Sequence, residues 1–288
     1  MSSRPCAFCR NIAEPFFKEI NMNRIEERLA LLKQAGKTAF IPFLMAGDPD
    51  FASSEEIVFL LDRSGADIIE YGVPFSDPVG DGPVIQQAAQ RALRGGASMK
   101  EVLESVRRIR TRSSVPLMLF SYLNPILAYG IEAFARDAAE AGVDGVLCVD
   151  LPPDEAAEYK RLLDAAGICT IFLAAPTTTE VRLKLIGEQS SGFVYYISRL
   201  GVTGERAILE KDLERAVTRV KKLTGKPVCV GFGISTPEQA AAVASMADGV
   251  VIGSALVRLI HEQSARPGGI DAIKVWADNM SRAIHEKH

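Results

Sequence analysis

Apolar residues recur along this chain in two alternating rhythms. Ile25, Leu29 and Leu32 stand at helical spacing between Asn23 and Gly36, which predicts an opening helix closed by the glycine. Eight apolar runs of strand length follow, at residues 39–44, 67–71, 116–121, 144–149, 168–174, 192–197, 227–231 and 248–252. Amphipathic stretches long enough for helices separate them. Several open with an S/T-x-x-E capping pattern, namely Ser53 with Glu56, Ser98 with Glu101, Thr177 with Glu180 and Ser235 with Glu238. Eight strands, each followed by a helix, is the count of a closed parallel barrel. The pattern therefore predicts an α/β chain folded as a single-domain (β/α)8, or TIM, barrel with an extra N-terminal helix. An open doubly wound sheet is the alternative, but the turn after the first run, Ala46-Gly47-Asp48-Pro49, lacks the dinucleotide fingerprint. A last helix, from about residue 270 to 284, is expected across the barrel's outside.

Composition narrows the class. At 288 residues, with 48% hydrophobic and 24% charged, the chain can bury a large core. A net charge of −3 and the lack of a basic run argue against a nucleic-acid or anionic-membrane partner. No apolar stretch approaches transmembrane length. Five cysteines, an odd number, without a secretory signal point to a reducing, cytoplasmic setting. Residues 1–22 lack the apolar core of a signal peptide and stand outside the periodic pattern, so they are expected to be a flexible extension, with residues 23–288 forming the barrel. The lone pair Cys6 and Cys9 offers two of the four ligands a structural zinc needs, and no metal site is expected.

The most informative stretch is DIIEYGVPFSDPVGDGP, from Asp67 to Pro83. Glu70 interrupts an apolar strand near its carboxyl end, where an acid is rarely buried without a reason. Beyond Tyr71, Gly72, Pro74, Pro78, Gly80, Gly82 and Pro83 exclude helix and sheet, and Asp77 and Asp81 ride on the resulting loop. The working face of a barrel is the ring of loops after its strands, which makes this stretch the first candidate site. A salt-bridged strand end above a solvated turn is the plainer alternative. Other loops on the same face add Phe43, Asp48, Tyr122, Asn124, Asp150, Ser198 and Arg199. Three glycine-rich turns, Gly201-Val202-Thr203-Gly204, Gly231-Phe232-Gly233-Ile234-Ser235 and Gly253-Ser254-Ala255, can cradle a phosphate with backbone N–H groups.

Absences matter as much. No lysine stands at the carboxyl end of a predicted strand, since Lys37 and Lys226 precede theirs, which argues against a Schiff-base aldolase. The three histidines, His261, His285 and His288, fall in the C-terminal fifth, away from the loops. Cys148, Cys169 and Cys229 lie inside strands as small core residues. Proton transfer is left to carboxylates, with Glu70 and Asp81 best placed. Desolvation among Ile, Tyr and Phe should raise the pKa of Glu70 toward neutrality.

These residues match a family. GVPFSDPVGDGP after a strand carrying Glu70, with FIPFLMAGDPD, RLGVTGE and GFGIS in the same order, resembles the α subunits of tryptophan synthase from residue 23 to about 285. The resemblance implies retro-aldol cleavage of indole-3-glycerol phosphate to indole and glyceraldehyde 3-phosphate. It gives Glu70 the proton transfers and Asp81 the indole N–H. It puts the phosphate on Gly204, Gly233, Gly253 and Ser254, and the indole against Phe43, Tyr122, Tyr195 and Phe232, with Thr203 serving loop closure. It implies no cofactor in this chain, and a β-subunit partner that holds pyridoxal phosphate in an α2β2 heterotetramer. Two departures are Leu200 before GVTG, and Gly80 before Asp81 where alanine is common. A free-standing lyase, another phosphate-binding barrel enzyme and a non-catalytic regulator of a β subunit are the competing readings; retention of both Glu70 and Asp81 argues against the last.

Overall fold

The computed structural model describes residues 22–197, 206–231, 233–264 and 266–286, with 206–210 described by their backbone alone. Cys6 and Cys9 lie outside the described residues. Eight parallel strands pair in chain order and close on themselves: β1 (Ala39–Met45), β2 (Ile69–Gly72), β3 (Leu117–Ser121), β4 (Gly145–Cys148), β5 (Cys169–Ala174), β6 (Val194–Ile197), β7 (Val228–Gly231) and β8 (Gly249–Ile252). Around them run α1 (Arg24–Gln34), α2 (Phe51–Arg63), α3 (Pro83–Arg94), α4 (Met99–Arg110), α5 (Leu123–Tyr129) and α6 (Ile131–Ala141). The ring continues with α7 (Ala157–Ala165), α8 (Glu180–Gln189), α9 (Arg206–Thr224), α10 (Pro237–Ala244), α11 (Ser254–Gln263) and α12 (Gly269–His285). The expected barrel is present, and α12 packs outside it against α2, α10, α11 and β1.

Side chains alternate in and out along each strand. Phe40, Leu44, Ile69, Tyr71, Leu117 and Leu119 face the helices, whereas Ile41, Ile68, Met118, Ile171, Tyr195 and Cys229 fill the barrel. The extra helix plugs the lower end. Ile25 of α1 is fully buried, and a Cβ at Gly145 or Gly192 would come within 2.7 or 3.2 Å of it. Asn23 caps α1 by accepting the Ile25 N–H at 2.9 Å, while its amide donates to the carbonyls of Asp144 and Gly167.

An aspartate stands just before each of three strands on that lower rim. Asp67, Asp144 and Asp248 accept the backbone N–H of Phe40, Leu117 and Val228, respectively, at 2.7–2.8 Å. Each also pairs with a basic side chain: Asp67 with Arg28 and His285, Asp144 with Arg24 and Arg110, Asp248 with Lys221. Strand β2 accordingly starts at Ile69 and not at Asp67, whose carboxylate serves the neighbouring strand.

Helix starts differ from expectation where two cap acceptors compete. Ser98 caps α4 as predicted, by accepting the Glu101 N–H. Asp50 replaces Ser53 at α2, Thr179 replaces Thr177 at α8, and Thr236 replaces Ser235 at α10, where Gln239 completes a capping box. Two strand-to-strand connections also hold two helices each, α3 with α4 and α5 with α6, because Gly95-Gly96 and Gly130 break what periodicity alone joins.

Candidate active site

Strand β2 runs toward the upper rim with Glu70 and Gly72 facing inward, in phase with Ile68 just before it. Glu70 is paired in register with Phe43 of β1 and Met118 of β3, and only 1% of its surface is exposed. One carboxyl oxygen, Oε1, has no hydrogen-bond partner among the described residues. Burial first, and then the charge of Asp81, push its pKa from 4.5 to about 8, so the carboxyl holds its proton at neutrality. Gly72, one turn of the pleat higher, has no Cβ because the Phe43 ring would stand 2.6 Å from it. That ring packs edge-on against Phe120 at 5.4 Å and forms one wall above the acid.

The loop from Val73 to Gly82 folds over this wall. Asp81 N–H donates to the Pro78 carbonyl, and Gln86 in the first turn of α3 donates to the Asp81 carbonyl, so the loop's end is tied to the helix that follows. Tyr122 braces it from behind. Its hydroxyl accepts the Gly80 N–H at 3.0 Å and its ring lies 5.4 Å from that of Phe75. A Cβ at Gly80 would press on Val149 at 2.9 Å and on the Tyr122 hydroxyl at 3.1 Å, so glycine lets the loop sit close. Burial raises the Asp81 carboxyl to about 6, and the neighbouring Tyr122 hydroxyl limits the rise.

Glu70 and Asp81 face a common cavity of about 470 Å³. Apolar side chains from the strand ends, among them Phe43, Phe120, Leu173, Tyr195 and Val251, make its body. The opposite end is polar and built from Gly233, Ser235, Gly253 and Ser254. Two helices begin there in different states. At α10 the Gln239 side chain already accepts the N–H groups of Ser235 and Thr236. Helix α11 starts after Gly253 with no side-chain cap, which leaves its first-turn N–H groups turned toward the cavity end. An apolar slot with an acid in its wall and uncapped backbone N–H groups at one end has room for an aromatic ring and donors suited to an anion.

The family model for the tryptophan synthase alpha chain matches residues 29–285. The chain belongs to that family. It is 53% identical over 241 residues to the tryptophan synthase alpha chain of Geobacter sp. (strain M21), covering 84% of this chain and 90% of the relative. Against the alpha chain of Burkholderia multivorans it is 47% identical over 264 residues, or 91% and 97% of the two chains. In structure it is similar to tryptophan synthase subunit alpha of Legionella pneumophila, with a TM-score of 0.85 at 40% identity over 91% of this chain and 98% of the other. A chain of the aminoacrylate-bound tryptophan synthase of M. tuberculosis gives 0.82 at 35% identity, covering 91% and 100%.

Among the alpha-chain residues picked from sequence, Glu70, Asp81, Phe43, Tyr195, Gly233, Gly253 and Ser254 all line the cavity. Tyr122 does not; it is buried behind the loop that carries Asp81. Thr203, Gly204, Phe232, Ser198, Arg199 and Leu200 lie outside the described residues. The remaining loop acids have other partners. Asp48 holds Arg91 of α3 through two 2.7 Å bonds, Asp150 accepts the Leu123 N–H at 2.7 Å, and exposed Asp77 pairs with Ser76. Asn124 is exposed on α5. The three strand cysteines are buried free thiols, and burial pushes that of Cys169 up to about 12.

Phe120, Val149, Leu173, Ile197 and Val251 line the cavity and were missed from sequence. Each occupies an inward position two residues beyond a core position of its strand, so counting parity forward to the strand ends would have found them. Among the described residues, no group of three or more His, Cys, Asp or Glu is arranged to hold a metal. No helix of the described residues is long and apolar enough to cross a membrane.

Proposed function

We propose that Glu70 and Asp81 perform the cleavage of indole-3-glycerol phosphate to indole and glyceraldehyde 3-phosphate, the lyase half-reaction of the tryptophan synthase α subunit. The observation that carries this assignment is the buried Glu70, with a free carboxyl oxygen and a pKa pushed up to about 8, lining one largely apolar cavity with Asp81. Glu70 gives its proton to indole C3, which leaves the ring cationic. Asp81 accepts a hydrogen bond from the ring N–H and stabilises that charge, an interaction that strengthens as the charge develops. The Glu70 carboxylate then takes the proton of the side-chain hydroxyl. The C–C bond breaks, its electron pair returns to the ring, and Glu70 ends in its starting state. Phe43 and Tyr195 flank the indole, while Gly233, Gly253 and Ser254, together with Gly204, hold the phosphate. Thr203 serves closure of its loop.

The proton transfers use carboxyl groups of this chain alone, and pyridoxal phosphate is assigned to a β-subunit partner in an α2β2 assembly. Exposed Val79 on the loop that carries Asp81, Leu127 and Asn124 on α5, and exposed Asp150 offer that partner a surface. Pro152, two residues after Asp150, is half-buried. Mixing the chain with indole-3-glycerol phosphate tests the activity directly by the appearance of indole. A weak rate alone, raised strongly by the β subunit and less so in Pro152→Asp, is expected; a full rate that ignores added β subunit would identify a free-standing lyase. The proposed setting is cytoplasmic, with neither nucleic acid nor membrane as a partner.

A further inference from the structure

We propose that Arg258 is a specificity-determining residue that recognises the charge of the substrate's phosphate; this rests on the phosphate reading of the glycine-rich end. Arg258 lies on α11, four residues after Ser254, and both line the cavity. That spacing puts the two on one helix face, and helical side chains lean toward the N-terminus. The guanidinium thus lies over the first turn of α11, where the uncapped N–H groups are.

Arg258 is also the only cation among the described residues lining the cavity, where the other charged groups are Glu70 and Asp81. Among the described residues it makes no ion pair or side-chain hydrogen bond, unlike Arg91, which Asp48 holds with both oxygens. An arginine that bridges secondary structure is held by a carboxylate in the manner of Arg91, Arg108 and Arg110. Arg258 retains its donors for something that enters the cavity. A phosphate monoester carries close to two negative charges at neutrality and enters a cavity whose other charged groups are carboxyls. Backbone N–H groups orient it but bring only partial charge, whereas a guanidinium supplies a full one and a planar pair of donors.

The experiment uses the full chain and two competitive inhibitors of indole-3-glycerol phosphate cleavage: glycerol 3-phosphate, which carries the phosphate, and indole, which does not. Arg258→Gln should raise the inhibition constant of glycerol 3-phosphate and the KM of the substrate roughly three- to tenfold at low salt, the range expected for a partly exposed charge-assisted contact. The inhibition constant of indole and kcat should stay within about twofold, because the guanidinium is remote from the breaking bond. Arg258→Lys should recover part of the affinity, and raising salt to about 0.5 M should shrink the difference. Equal inhibition of wild type and Arg258→Gln by glycerol 3-phosphate would overturn the role of Arg258 alone. Parallel weakening of both inhibitors would overturn it as well, by showing general damage to the cavity. If wild type itself does not bind glycerol 3-phosphate, the phosphate reading falls and this role falls with it.

Discussion

Replacing Glu70 by glutamine should cost activity and add stability. In the native protein the carboxyl releases its proton at about 8, against 4.5 for the free side chain. Between those values the native state binds one more proton than the unfolded state. Stability therefore falls as pH rises, by about 1.4 kcal/mol per pH unit, and the contribution is absent below the unfolded pKa. Across the whole window the wild-type acid loses at most about 5 kcal/mol, and water entering the cavity lowers the realised penalty. Glutamine keeps the shape and never ionises, so Glu70→Gln should gain roughly 2–5 kcal/mol over wild type near pH 8 and little near pH 4.5. Urea unfolding of both proteins at several pH values measures this, because every other titrating group is common to the pair. The variant should meanwhile lose about 10²–10⁴-fold in kcat. A stability difference that does not grow with pH, or a variant that is the weaker one near pH 8, would show that Glu70 is solvated or paired in solution.

Two more expectations concern pH and the chain's start. With Asp81 at about 6 and Glu70 at about 8, kcat/KM should peak between those values, needing Asp81 ionised and Glu70 protonated. Asp81→Asn should remove the acid limb and shift the alkaline limb lower, because the Asp81 charge helps hold the proton on Glu70; an unmoved alkaline limb would show the pair is uncoupled. Deleting residues 1–21 should leave the melting temperature unchanged, since the capping and anchoring bonds of α1 start at Asn23. Asn23→Ala should instead lower stability by about 1–2 kcal/mol in denaturant titrations, and a larger effect from the truncation than from this substitution would reverse the assignment.

Periodicity was enough to predict the barrel, because eight apolar runs and their intervening amphipathic stretches leave few other ways to bury both. Glu70 stood out for the same reason, as an acid in a strand with no polar face to put it on. Helix starts were less legible. At α10, Ser235 and Thr236 are adjacent and chemically equal, and only the reach of Gln239 decides between them. Tyr122 looked like an indole contact, yet its hydroxyl is turned to the Gly80 N–H, a relation across 42 positions that no local pattern contains. Asp48 looked available on its loop until Arg91, on the third element after it, was brought within 2.7 Å. Arg258 hid inside an ordinary amphipathic helix, although its spacing from Ser254 was there to be counted.

The three rim aspartates have a consequence for anyone who would rebuild this enzyme. Each ties a neighbouring strand's backbone to a basic side chain, at the end of the barrel away from Glu70. Ring closure is thereby secured from beneath, while the acid above is left with an oxygen unbound. Loops and pocket residues on the upper face can then be exchanged for new substrates without first having to re-engineer the chassis, and a library should vary one end and leave Asp67, Asp144 and Asp248 untouched.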